Sequence, residues 1–231
     1  MQKKFDDNEE NKNKKIFKIE FLLHIIISAI LSTICIWDRI VNIPKFPKNF
    51  LFLTQIDLYI NMLYYLISLY YNIAKKKEIK EKYQLFFNFN FCVSFVVFIM
   101  YWSMLIVDRE TLYTNNTKLR VPFGLNFLLH GGVFLVNLLE IFLINKSVKT
   151  SYFRIWFFLF FTIVYVGILY LLKLLFNIRV YPFIYGSIFK FIMVTFSAFI
   201  VCLVGNFIYT FILKNQKARN KEKDYEDLEM N

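Results

Sequence analysis

Glycine, proline, cysteine and histidine are all scarce in this chain. Six Gly and four Pro among 231 residues exclude a collagen-like repeat and a disordered chain rich in these residues. The three cysteines, an odd number without paired spacing, provide neither a disulfide framework nor a zinc motif. The two histidines form no metal-ligand cluster with Cys or carboxylate residues, so we expect no metal and no cofactor. We interpret Cys35, Cys92 and Cys202 as small buried apolar residues.

Apolar residues, aromatic ones above all, make up most of the sequence. They account for 58% of it, with 29 Phe and 15 Tyr, and a domain of this size has too little interior to bury them. In a soluble protein the net charge of +11 would suggest a nucleic-acid partner. Here the charges lie between and beyond long apolar runs, so we expect membrane lipids as partners and no nucleic acid. The composition predicts an integral membrane protein.

Six apolar stretches are each long enough to cross a bilayer as a helix, which takes about 20 residues. They do not alternate in hydrophobicity as the strands of a membrane barrel do, so they predict an all-α fold. The stretches cover roughly residues 16–37, 50–74, 85–107, 123–145, 152–176 and 187–213. The sequence therefore predicts a transmembrane domain over residues 16–213, with charged and disordered tails at 1–15 and 214–231.

Basic side chains are distributed unequally between the two sides of the predicted membrane domain. With six spans both termini lie on one side, and that side carries nineteen of the 28 Lys and Arg residues. This asymmetry predicts cytoplasmic termini. The sequon at Asn115 then lies on the opposite side, where a glycan can be added, and the sequon at Asn145 should stay bare. A glycan on Asn145 would contradict this orientation.

Few ionisable residues lie inside the predicted spans, where each costs several kcal/mol unless it is paired or faces a cavity. Lys173 and Lys190 lie near span ends, from which they can reach the membrane surface. We interpret His24 as a packing residue. Glu140, close to the cytoplasmic end of the fourth span, can have either a structural or a functional role.

Three polar residues fall at a similar depth near the non-cytoplasmic side. Thr54 and Asp57 share a face of the second span, at depths of about 6 and 10 Å, and His130 lies about 10 Å into the fourth. A hydroxyl, an imidazole and a carboxylate are the ingredients of nucleophilic acyl transfer. Asn126, four residues before His130, shares a face with it. The alternative is a Thr that bonds its own backbone and a His that only packs.

Four short segments at these and later positions match known motifs in order. They are Phe52-Leu53-Thr54-Gln55-Ile56-Asp57-Leu58, Asp108-Arg109-Glu110 followed by Tyr113, Leu125-Asn126 followed by His130 and Glu140, and Val180-Tyr181-Pro182-Phe183. In their order and similar spacing they resemble F-L-T-x-I-D-L, D-R-E, L-N-H-G-x-H and V-Y-P-F of the androgen-induced protein/ADTRP family of multi-pass membrane hydrolases.

The resemblance implies an activity and two catalytic residues. Members of that family hydrolyse fatty acid esters of hydroxy fatty acids with a nucleophilic Thr and an essential His, which fall here on Thr54 and His130. The first His and the Gly of the L-N-H-G-x-H motif are Phe127 and Leu128 in this chain. The expected substrate is a lipid ester, and the expected location is the endoplasmic reticulum or the plasma membrane.

Supporting roles in such a site are hypotheses from the residue types. Asp57 is a candidate to orient His130, and Asn126 is a candidate donor to the developing oxyanion. A transporter or channel, or a membrane scaffold with lipid-binding basic tails, remains the alternative to an enzyme. The polar residues cluster near one face and no internal repeat is visible, which favours a site that opens to one side.

Overall fold

The computed structural model describes most of the chain as six helices. The described residues are 2–42, 51–74, 80–107, 123–143, 153–181 and 188–229. Helix α1 covers Gln2–Asn42, α2 Leu53–Ala74, α3 Lys80–Val107, α5 Phe153–Phe176 and α6 Ile188–Glu229. Helix α4 consists of three consecutive segments, Phe123–Phe127, a π-helical turn Leu128–Gly132, and Val133–Leu143. The predicted all-α class is confirmed for these ranges.

Five of the six helices are long and apolar enough to cross a membrane. Their candidate spans within the described residues are Lys18–Ile40, Phe86–Val107, Phe123–Leu143, Trp156–Phe176 and Phe189–Arg219. Helix α2 is not among them, although its 22 residues give it a length of about 33 Å. These helices make the chain an integral membrane protein. A sixth span and the orientation of the termini remain predictions.

Helix α2 contains several polar side chains that point into the bundle. It packs between α1 and α3, and α3 in turn packs against α4 and α6. Gln55, Asp57, Asn61 and Ser68 of α2 are all buried, together with its apolar residue Leu58. In contrast, large apolar side chains of α5 and α6, such as Phe160 and Phe207, are mostly exposed. The interior of the bundle therefore contains polar side chains among its apolar ones, and the outer surface is apolar, as expected of a protein in lipid.

Both charged tails continue the terminal helices over the residues that the structure describes. Helix α1 begins at Gln2 and α6 ends at Glu229, which differs from the predicted disorder of residues 1–15 and 214–231. Neither tail contains Gly or Pro, so no helix-breaking residue interrupts the backbone that leaves the apolar segment.

The three cysteines are buried and unbonded, as interpreted from the sequence. Several sequence features lie outside the described residues. These are the Asp108-Arg109-Glu110 segment with Tyr113, the sequons at Asn115 and Asn145, and the Pro182-Phe183 end of the fourth motif.

Candidate active site

Thr54 and His130 meet at the end of the bundle where α2 begins. Thr54 lies in the first turn of α2 and His130 in the π-helical turn of α4. The Thr54 Oγ1 and His130 Nδ1 atoms are 3.3 Å apart, which is within hydrogen-bond reach. Both residues are partly buried, so the pair is neither sealed in the core nor open on the surface. The structure thus brings together the two residues that the sequence nominated as nucleophile and base.

The turn that carries His130 departs from a regular α-helix. Leu128–Gly132 is π-helical, and such single wide turns within α-helices are frequent at functional sites. Gly132 suits this turn because a Cβ there would lie 3.3 Å from Leu128 Cδ2, a tight contact. The π-helical turn contains one residue more than a regular turn. Side chains after it are therefore rotated by about 100° around the helix axis relative to those before it.

Tyr101 of α3 stacks flat on the imidazole of His130. Their ring centroids are 3.6 Å apart and their planes differ by 3°. Such a contact fixes the plane of the imidazole and covers one of its faces. Tyr101 could not be predicted as part of the site from the sequence. In a chain with 15 Tyr and 29 Phe, an aromatic residue in a span has no pattern that would distinguish it.

Asp57 lies one turn further along α2 than Thr54 and belongs to a different set of contacts. It is fully buried, and its Oδ1 accepts hydrogen bonds from Ser94 Oγ at 2.7 Å and Asn61 Nδ2 at 2.8 Å. Among the described residues it makes no hydrogen bond to His130. The structure therefore does not bring together the predicted orienter and the base, because Ser94 of α3 supplies the donor that faces Asp57 instead.

The same contacts continue into α4. Asn137 Nδ2 donates to Asn61 Oδ1 at 2.7 Å and to Ser94 Oγ at 3.0 Å, and Tyr65 donates from its hydroxyl to Asn137 Oδ1 at 3.0 Å. We call these five residues, Asp57, Asn61, Tyr65, Ser94 and Asn137, the Asp57 network. All are buried, and together they join α2, α3 and α4 directly beneath Thr54.

A second buried group lies further from Thr54, where α1, α2 and α4 meet. Glu140 Oε1 accepts a hydrogen bond of 2.7 Å from the Tyr64 hydroxyl, and His24 Nε2 lies 3.6 Å from it. His24 Nδ1 is 2.9 Å from Asn72 Nδ2. An amide nitrogen is a donor, so this contact makes Nδ1 the acceptor and leaves the imidazole proton on Nε2. The group joins three helices, and its residues His24 and Glu140 are fully buried.

Two tyrosines hold the backbone immediately before Thr54. The Leu53 N–H donates to the Tyr181 hydroxyl at 2.8 Å, and the Tyr165 hydroxyl donates to the Leu51 carbonyl at 3.0 Å. The two hydroxyls are 3.3 Å apart, and the Tyr181 ring packs edge-on against Phe52. Tyr181 thereby satisfies one of the N–H groups left open at the start of a helix. The described part of the fourth motif thus positions the helix turn that carries Thr54.

The remaining motif residues lie in the helix turns next to Thr54 and His130. Asn126 lies partly buried four residues before His130. Phe127, where the family motif has a His, packs edge-on against Trp102 with ring centroids 6.2 Å apart. Gln55 Oε1 accepts a 3.4 Å hydrogen bond from Arg39 Nη2, and Arg39 Nε donates to the Tyr59 hydroxyl at 2.6 Å. Arg39 therefore contacts the start of α2 through Gln55 and Tyr59.

Comparison with known proteins identifies the family. Neither a curated protein nor a solved structure matches the sequence. A sequence model of the family described as "FAR-17a/AIG1-like protein" matches residues 19–215, from the first helix to the last. This family includes the androgen-induced protein and ADTRP, so the family expected from the four motifs is confirmed. The chain belongs to the FAR-17a/AIG1-like family of membrane proteins.

Proposed function

We propose that this protein is an intramembrane threonine hydrolase of lipid esters, with fatty acid esters of hydroxy fatty acids as its substrate class. The observation that supports this most is the 3.3 Å separation of Thr54 Oγ1 and His130 Nδ1. A threonine hydroxyl is a weak nucleophile without an adjacent base, and His130 is positioned to act as one. Membership of a family that is linked in general to hydrolase activity supports the same conclusion.

The proposed reaction has two steps that share one base. His130 Nδ1 removes the Thr54 hydroxyl proton while Oγ1 attacks the ester carbonyl carbon, and the tetrahedral intermediate then expels the alcohol, which takes the proton from Nδ1. In the second step Nδ1 removes a proton from water, the resulting hydroxide attacks the acyl-threonine, and Thr54 regains its proton as the fatty acid leaves. Because Nδ1 accepts the proton, the neutral His130 must carry its own proton on Nε2.

Two neighbours of the pair have proposed supporting roles. Tyr101 acts as a positioning residue, since its stacked ring keeps Nδ1 directed at Thr54. Asn126 is a candidate donor to the oxyanion of the tetrahedral intermediate. Asp57 has its hydrogen bonds within the Asp57 network, so we propose for it a structural role beneath Thr54 and not the orientation of His130.

The proposed topology has six spans and cytoplasmic termini. Helix α2 would be the sixth span, with its buried polar side chains directed at α1, α3 and α4 and not at lipid. Thr54 and His130 then lie near the non-cytoplasmic leaflet, in the endoplasmic reticulum or the plasma membrane. A lipid ester near the headgroup boundary could reach them there, and water could enter from the same interface.

Substitution of the pair tests the proposed activity. We expect Thr54→Ala and His130→Ala each to lower ester hydrolysis at least about 100-fold, the usual contribution of a positioned base. Covalent labelling by a serine-hydrolase probe should be lost with them. Thr54→Ser keeps a hydroxyl and should keep labelling. Thr33→Ala is the matched control, because among the described residues the exposed Thr33 hydroxyl bonds its own helix, at Ala29 O.

The outcome distinguishes the enzyme from the alternatives. If folded, membrane-inserted Thr54→Ala is labelled as strongly as the wild type, Thr54 is not the nucleophile. If neither the wild type nor any variant is labelled or hydrolyses a lipid ester, a transporter, channel or scaffold becomes the better interpretation.

A further inference from the structure

An open apolar groove runs between α5 and α6. Its volume is about 610 Å³, within the range of sites for small ligands. On α5 it extends from Leu159 to Tyr170, and on α6 from Phe191 to Phe199. The eleven helical steps from Leu159 to Tyr170 rise about 16 Å along α5, close to half of the roughly 30 Å hydrocarbon core of a bilayer. The groove therefore has the length of one leaflet.

The lining of the groove accepts hydrocarbon and little else. Its only side-chain polar groups besides the Tyr170 hydroxyl are those of Thr162 and Thr195. Both threonine hydroxyls donate to their own helix, Thr162 to Phe158 O at 2.9 Å and Thr195 to Phe191 O at 2.8 Å. An apolar space of this size on the lipid-facing side gains dispersion contacts when a hydrocarbon chain fills it.

One end of the groove is marked by two lysines. The rings of Tyr170 and Phe191 lie 6.3 Å apart at the end formed by the last turns of α5 and the first turn of α6. Lys173 Nζ lies 5.9 Å from the centroid of the Tyr170 ring, and Lys190, which is exposed, directly precedes Phe191. A single apolar channel with two cationic groups at one end is complementary to an amphiphile with one chain and an anionic head.

We propose that the groove between α5 and α6 binds a long-chain fatty-acid anion, with its carboxylate near Lys173 and Lys190 and its chain between the helices. A groove one helix gap wide and one leaflet long suits a single chain better than the two chains of a phospholipid. This site is separate from Thr54 and His130 and needs neither of them to bind. A fatty acid is also the kind of product that ester hydrolysis releases, so the site extends the proposed function without depending on it.

Groove-filling substitution provides the test. A Cβ built at Gly167 meets nothing within 4 Å, so Gly167→Phe should place a ring in the groove without displacing a neighbour. Val164→Phe is the matched control, because Val164 is exposed on the same helix and does not line the groove. The full-length protein is reconstituted in phosphatidylcholine nanodiscs and photo-crosslinked with a diazirine-bearing palmitate. Gly167→Phe should lower crosslinking several-fold, and Val164→Phe should leave it unchanged.

The lysines are tested by competition with unlabelled palmitate. Lys173→Gln and Lys190→Gln should each weaken competition by palmitate about fivefold, the typical effect of one lysine on an anionic lipid head. Neither should change competition by methyl palmitate, which lacks the charge. Thr54→Ala should crosslink as the wild type does, so a failure of the proposed hydrolase activity would leave this result intact.

Several outcomes would overturn the proposal. One is equal crosslinking of Gly167→Phe and the wild type, and another is equal competition by palmitate, methyl palmitate and phosphatidylcholine, which would indicate ordinary bilayer lipid only. If Gly167→Phe does not fold, the positions at which palmitate crosslinks to the wild type test the proposal instead. Adducts should map to residues 159–170 and 191–199, and adducts elsewhere would contradict the assignment.

Discussion

The imidazole of His130 is held by two contacts that act in different directions. Thr54 Oγ1 lies 3.3 Å from Nδ1, where its hydroxyl can donate to that nitrogen, and the stacked ring of Tyr101 fixes the plane of the imidazole from one face. In a Ser-His-Asp triad a carboxylate orients the base, and in this protein the nearby carboxylate, Asp57, is bound elsewhere. In the proposed mechanism, the Tyr101 ring holds the imidazole in position, as the carboxylate does in the triad.

Removal of the Tyr101 ring should slow catalysis more than it weakens substrate binding. Stacked aromatic pairs contribute about 0.5–1.5 kcal/mol, so Tyr101→Ala should lower kcat about three- to tenfold with little change in KM. Tyr101→Phe keeps the ring and should behave as the wild type in a steady-state assay of ester hydrolysis. Tyr70→Ala is the control, since Tyr70 is exposed and lies far from Thr54 along α2. Equal losses in Tyr101→Phe and Tyr101→Ala would instead assign the role to the hydroxyl.

Depth along a span predicts which residues can meet but not which do. Thr54 and His130 could be nominated from the sequence because a hydroxyl and an imidazole fall at similar depth on two helices. The partner of Asp57 could not, because a helix face points at a neighbour whose identity depends on the packing of the whole bundle. Ser94 lies in a span that is otherwise rich in Phe and Val, and nothing in its spacing marks it as the donor.

Among the helices, α2, α3 and α4 are joined by the Asp57 network and not by apolar packing alone. Within lipid a buried polar group has no water to bond, so each member depends on the others for its hydrogen bonds. Asn61 and Asn137 each bond three other members, which fixes the rotation of three helices relative to one another. The network thereby sets the direction in which the Thr54 side chain projects from α2.

Removal of the Asp57 carboxylate should destabilise the bundle without abolishing the chemistry. Asp57→Ala deprives the Ser94 hydroxyl and the Asn61 amide of their common acceptor, at a cost of about 1–3 kcal/mol. Asp57→Asn keeps an acceptor oxygen and should lose less. Thermal unfolding in detergent measures both. Ser68→Ala is the control, because within the part of the chain that the structure describes that buried hydroxyl bonds its own helix, at Tyr64 O.

Probe labelling separates this structural role from a catalytic one. Folded Asp57→Ala protein should still be labelled at Thr54 by the serine-hydrolase probe. Complete loss of labelling at temperatures where the variant is fully folded would show that Asp57 does orient His130, as the sequence analysis first suggested.

Helix positions were predictable from apolar run length, and the irregular parts were not. The runs begin and end within several residues of α2, α3, α4 and α5. The π-helical turn within α4 carries no hydropathy signal, because a wide turn and a regular turn contain the same kinds of residue. The adjacent Gly131 and Gly132 lie in this turn, but two glycines in a sequence do not indicate an extra residue.

At the scale of the whole molecule, buried polar side chains lie among apolar ones in the interior, and the outer surface is apolar. Large exposed apolar residues on α1, α5 and α6 form the outer surface, and the buried polar residues come mainly from α1, α2, α3 and α4. The mean hydropathy of helix α2 is too low for a candidate span because this helix lies at the centre of the bundle and carries buried polar side chains. Hydropathy alone cannot tell a central spanning helix with polar contacts from a helix that does not span.

Glycan position decides between six spans and five. With six spans and a cytoplasmic N-terminus, residues 108–122 lie on the non-cytoplasmic side and the C-terminus lies in the cytoplasm. If α2 did not cross, these two segments would exchange sides. We expect a glycan at Asn115 that endoglycosidase removes and that Asn115→Gln abolishes, and no glycan on a sequon tag fused after Asn231. A glycosylated tag together with a bare Asn115 would contradict six spans with cytoplasmic termini. A sequon tag fused before Met1 then distinguishes the two remaining topologies, since it is glycosylated if the termini are inverted and bare if α2 does not span.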